Sequence, residues 1–190
     1  MTHGEVGVNA IGMFEGWSDF FLMIGSAAAV LIGLIFVVIS LMQDRSRSSV
    51  LAGARLYMGP IVLMVSFVLV ISAAALTPGM QRWTFTLILL IIAVWGLVRG
   101  LMSAFGIGRL GNDVHWTDIW FYGITPSAIY VLLGAVAAAF WSSWPLADDG
   151  LALALTGLLV LAIRNEWDLI TWIAPRSDEG DPSFGDERSS

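Results

Sequence analysis

The chain has 190 residues, 57% hydrophobic and 13% charged, with mean hydropathy +0.81 and net charge −6. Soluble domains carry about 25% charged residues, so composition argues against an ordinary water-solvated domain, and the absence of any basic stripe excludes nucleic acid as a partner. With no Cys at all, disulfides, thiolate nucleophiles, iron–sulfur clusters and Cys-ligated zinc are excluded.

Five long apolar stretches organise the sequence, at about 20–42, 56–76, 83–101, 119–141 and 150–174. A membrane-crossing helix needs about 20 mostly apolar residues. The expected fold class is therefore all-α: a polytopic integral membrane bundle of five transmembrane helices, with four as the alternative. Residues 1–16 are expected to form a short extracytoplasmic segment and 17–174 the transmembrane domain.

The first stretch reads as a retained span rather than a leader. Glu5, Glu15 and Asp19 precede it in place of a positive n-region, and Arg45 and Arg47 follow it. Gly25, Ala29 and Gly33 recur every four residues, a small-residue stripe that lets helix backbones approach closely. Packing within one subunit is the simpler reading; a homo-oligomer seam is the sharper one.

After the second stretch, the third carries Gly96, Arg99, Gly100 and Ser103 at i, i+3, i+4 and i+7, on one helix face. The Gly96/Gly100 pair predicts a close helix contact on that face. Arg99 lies about 24 Å along the helix from Trp83 at 1.5 Å per residue. A charge at that depth needs a partner or the headgroups. Asp118, Glu166 and Asp168 are the carboxylates at matching depth, with Asp168 or Glu166 the expected partner.

Gly106–Gly111 matches GxGxxG but follows an apolar helix rather than a strand, so it is read as a flexible connection, not a dinucleotide site. Asp113 and His115 in the same connection are too few to specify a metal. In the fourth stretch Pro126 cannot donate to the Tyr122 carbonyl, which predicts a kink. Gly134 and Ala138 repeat the small-residue spacing. The fifth stretch reaches spanning length only by including Arg164, Asn165, Glu166 and Asp168. If it is interfacial instead, four spans remain. Arg164 and Asp168 are at i, i+4 with Thr171 on the same face, whereas Glu166 points about 200° away at 3.6 residues per turn. The acidic, small-residue tail 175–190 is expected to be disordered and cytoplasmic.

All nine basic residues are Arg. Eight fall in or beside alternate connections on one side and only Arg82 on the other, so the positive-inside rule places the N-terminus outside and the C-terminus in the cytoplasm of a prokaryotic inner membrane. Without Lys, no Schiff base can form. His3 and His115 lie outside the stretches, which argues against haem held between helices. No catalytic residues, cofactor or metal are expected. The candidate polar cluster is Arg99, Asp118, Tyr122, Pro126, Arg164, Glu166 and Asp168, which with Tyr57 and Ser103 maps to the cytoplasmic half. The expected role is a non-enzymatic accessory, scaffold or assembly component. The alternatives are an oligomeric channel or facilitator with a polar cytoplasmic vestibule and a lipid-modifying enzyme at the inner interface. Expected partners are the lipid bilayer and a second copy or another membrane protein.

Overall fold

A computed structural model describes residues 14, 16–42, 48–108 and 120–173. The described residues are all-helical. They form α1 (Ser18–Met42), α2 (Ser48–Ala75), α3 (Arg82–Gly108), a π-helical turn (Trp120–Ile124) leading into α4 (Thr125–Trp141), and α5 (Ala147–Ile173). Each apolar stretch falls on one helical run. The fifth is a single unbroken helix of 27 residues.

Neighbouring helices run antiparallel, and the glycines record the register. On α1 and α2, a Cβ on Gly25 would sit 3.0 Å from the Ser72 Cβ. On α3 and α4, Gly134 faces Ala93, Gly96 faces Tyr130 and Gly100 faces Ser127. On α4 and α5, Gly150 faces Val136 and Gly157 faces Ile129. Helices α2, α3, α4 and α5 close a ring in which α3 and α5 are not neighbours, and α1 docks against α2 and α5.

Two short connections lie at the end where α1, α3 and α5 begin. Thr77-Pro78-Gly79-Met80 closes with the Met80 N–H donating to the Thr77 carbonyl at 3.2 Å. Gly79 has φ +70. Pro followed by a positive-φ Gly is the signature of a type II turn. The second connection reverses the chain at Ser143, a non-glycine residue at φ 56, whose hydroxyl accepts a 2.9 Å hydrogen bond from Arg82 Nη1. At this end Phe14, Phe21, Phe85 and Phe140 interlock edge to face, with centroid separations of 4.9–5.7 Å. Such pairs add about 0.5–1.5 kcal/mol each beyond the area they bury.

The interior of the ring is filled. Ile61, Val65, Val68 and Ile71 from α2 meet Phe85 and Leu89 from α3, Leu133 from α4, and Leu151, Leu155 and Leu158 from α5, all fully buried. The outer faces are also apolar. Leu22, Val30, Phe36 and Val37 on α1, and Leu87, Ile91, Val94 and Val98 on α3, are exposed. Ser18–Val38 (mean hydropathy 2.7) and Arg82–Ser103 (2.2) are long and apolar enough to cross a membrane, by length and composition. Gly59–Ala75 and Thr125–Trp141 are apolar but shorter. Helix α5 is long enough but carries Asp148, Asp149, Arg164, Glu166 and Asp168. Length and composition thus single out two of the five helices, not all five.

Candidate functional site

The described candidate polar residues lie toward the opposite end, away from the phenylalanine cluster. Two proline positions shape it. Pro126 is the second residue of α4, directly after the π turn, and withholds an N–H from that continuous helical run. Ile124 keeps helical backbone angles and no side chain caps the helix, so the π turn runs directly into α4. The buried Ser127 hydroxyl donates to the Gly123 carbonyl at 2.7 Å, satisfying one acceptor of the wide turn. Pro60 lies inside α2 and withholds the N–H that would close on the Leu56 carbonyl. Pro126 stands out in the sequence as an interruption of the fourth stretch; Pro60 stands in the second apolar stretch and carries the same signal.

Between these prolines is a partly open cleft of about 260 Å³ bordered by α2, α3 and α4. Gly59 and Pro60 line it from α2, Arg99 and Ser103 from α3, and Pro126 and Tyr130 from α4. Its α3–α4 wall is tight because Gly96 allows the Tyr130 ring to lie directly on the α3 backbone. A Cβ at Gly96 would meet that ring at 2.2–2.5 Å, and one at Gly100 would meet the Ser127 hydroxyl at 2.7 Å. Tyr130 is 3% exposed and its ring stands edge-on to Phe67, with centroids 6.0 Å apart.

Arg99 is exposed and lines this cleft. The pairing with Asp168 or Glu166 expected from depth is not formed. Arg99 is on α3 and both carboxylates are on α5, and these helices are separated across the ring by α2 and α4. Asp168 is instead bridged to Arg164 on its own helix, with Nη1–Oδ2 3.2 Å. The Arg164 guanidinium also lies over the Phe121 ring of the π turn, 3.2 Å from its centroid. Asn165 Nδ2 donates to the Phe121 carbonyl at 3.5 Å, so α5 grips the turn from two successive residues. Thr171 donates back to the Trp167 and Asp168 carbonyls.

Glu166 faces away from that group and is 5% exposed, and neither carboxylate oxygen has a hydrogen-bond partner among the described residues. The seven candidate polar residues are therefore distributed. Arg99 and Pro126 share the cleft, Arg164 and Asp168 hold the π turn, and Glu166 is buried elsewhere on α5. Asp118 and the Tyr122 side chain lie outside the described residues. Of the small-residue positions, Gly25 faces α2, whereas Ala29 and Gly33 are exposed and a Cβ at Gly33 would meet nothing within 4 Å.

Chemically, the cleft offers one cation, two hydroxyl-bearing side chains and apolar walls. Among the described residues no three His, Cys, Asp or Glu side chains come together as a metal site would need. Comparison with protein-family models, curated proteins and solved structures gives no match to this chain.

Proposed function

We propose that the chain is a five-span integral protein of a prokaryotic cytoplasmic membrane, with its N-terminus outside and C-terminus inside, acting as a non-enzymatic accessory, scaffold or assembly component. The membrane placement is supported by the apolar side chains that each helix exposes among the described residues. Soluble monomers rarely expose contiguous apolar patches beyond a few hundred Å². It is supported also by tryptophans at both ends of the bundle. Trp83, Trp141 and Trp144 are exposed at one end, and Trp120 and Trp167 at the other, the placement of interfacial aromatic belts. The orientation rests on Arg asymmetry, and the Arg164–Asp168 pair near the inner interface supports a crossing α5.

The observation that carries the functional reading is the filled interior. Large apolar side chains from all four ring helices close any path through a single copy of the chain. The carboxylates Glu166 and Asp168 stand on the helix that does not border the cleft, which disfavours acid–base work on a lipid held there. The test is flux through reconstituted liposomes. The scaffold reading expects ions and small solutes to move no faster than through empty liposomes. Protein-dependent flux would overturn it in favour of the oligomeric channel, with the cleft as its inner vestibule.

A further inference from the structure

We propose that the cleft between α2, α3 and α4 is a binding site for one anionic phospholipid of the inner leaflet, its acyl chain lying in the cleft and its phosphate at Arg99. The proposal rests on the membrane placement above. Four features support it. First, the cleft has apolar walls suited to an acyl chain, formed by Leu63 and Met64 on α2, Met102 on α3 and the buried Tyr130 ring on α4. Second, Arg99 is the one charged side chain lining it among the described residues, and it is exposed and makes no ion pair with any described carboxylate. An unneutralised guanidinium with planar donors is suited to two-point contact with a phosphate. Ser103, one turn further along the same face, supplies a hydroxyl to the same place.

Third, depth agrees with this assignment. Arg99 lies about 24 Å along α3 from Trp83 at 1.5 Å per residue, close to the far edge of a hydrocarbon layer about 30 Å thick. Fourth, charge selects the headgroup. Among the described residues no carboxylate lines the cleft to receive the amine of a zwitterionic lipid, so a net negative headgroup is favoured. Basic pockets between membrane helices on the cytoplasmic side hold such headgroups. Gly59 lines the cleft, and a Cβ there would meet nothing within 4 Å, so a larger side chain fits at this position.

The test is thermal unfolding of the detergent-solubilised full chain, followed by tryptophan fluorescence while phosphatidylglycerol is added. Controls are phosphatidylcholine of the same chains and sodium phosphate. Phosphatidylglycerol should raise the wild-type Tm saturably, and more than phosphatidylcholine does. Arg99→Gln should lose that difference. Gly59→Leu should lose the shift altogether, because the new side chain occupies the cleft. Equal shifts with both lipids in the wild type would mean general solvation of the apolar surface and would overturn the site. An undiminished shift in Gly59→Leu would also overturn it, as would a full shift with sodium phosphate alone. Should Gly59→Leu not fold, native mass spectrometry decides the matter. One retained phosphatidylglycerol per wild-type chain, absent from Arg99→Gln, supports the site, and equal retention overturns it. Failure here leaves topology intact, because side-specific labelling reads membrane placement independently.

Discussion

Replacing Gly96 with Ala tests the α3–α4 contact at its tightest point. The added Cβ would fall 2.2–2.5 Å from three atoms of the Tyr130 ring, well inside van der Waals contact. The ring has little room to yield, because Tyr130 is 3% exposed and packs edge-on against Phe67. Overpacking of this kind costs about 1–3 kcal/mol, and removing a helical glycine returns about 0.5–1 kcal/mol. The expected net loss is about 1–2 kcal/mol, or a fall in Tm of about 2–8 °C for a chain of this size. Gly33→Ala is the matched control, since its Cβ meets nothing within 4 Å; it should be neutral or slightly stabilising. Adding Tyr130→Leu to Gly96→Ala should recover part of the loss relative to Tyr130→Leu alone, with a coupling of about 0.5–3 kcal/mol for residues in contact. The assay is thermal unfolding in detergent followed by the fluorescence of the chain's nine tryptophans. Equal effects of Gly96→Ala and Gly33→Ala, or independence from Tyr130, would refute the contact.

Gly79→Ala should cost about 1–2 kcal/mol, the penalty for a side chain in left-handed backbone, since the surrounding space is open; an unchanged Tm would contradict the type II turn. Arg99→Ala and Asp168→Ala should add independently in a double-mutant cycle, because α3 and α5 are not neighbours, whereas Arg164 and Asp168, about two-fifths exposed, should couple by no more than about 0.5 kcal/mol. Coupling of Arg99 to Asp168 comparable to a buried pair would restore the expectation drawn from depth. At the other end of the bundle, burial raises the Asp148 carboxyl above its usual range, Asp149 adds to the effect and Arg82 opposes it. A folded value above the unfolded one means the folded state binds that proton more tightly, so this group opposes folding at neutral pH and the penalty fades as pH falls through the folded value. Asp148→Asn should therefore unfold at a higher temperature than wild type near neutral pH, with the difference shrinking on acidification. An Asp148→Asn variant that unfolds at a lower temperature than wild type near neutral pH would show that the favourable α5 N-terminal field outweighs burial.

Much of the fold was legible because it depends on local signals. Apolar runs of helical length mark the helices. What the sequence could not supply was the order of helices around the ring. Gly96 and Gly100 announced a close contact, but nothing in their spacing named α4 as the neighbour or Tyr130 as the side chain filling the gap. The same missing information misdirected the partner of Arg99. Depth along a helix is readable from residue number, whereas angular position in the bundle depends on tertiary packing, and it sets Arg99 across the ring from Asp168. The phenylalanine cluster draws Phe14, Phe21, Phe85 and Phe140 from three helical regions, and no pairwise spacing joins them. Pro60 was readable as a helix interruption in its own right, and its importance appears only where it faces Pro126 across the cleft.

Side-specific labelling of single cysteines tests whether the chain crosses the membrane an odd number of times. The chain has no native Cys, so Thr2→Cys and Ser190→Cys each give one reporter for a membrane-impermeant maleimide. In intact cells or right-side-out vesicles, the account predicts labelling of the first without permeabilisation and of the second only after it. Labelling of both from the same side would contradict five crossings and require α5 to lie at the interface, leaving a four-span bundle.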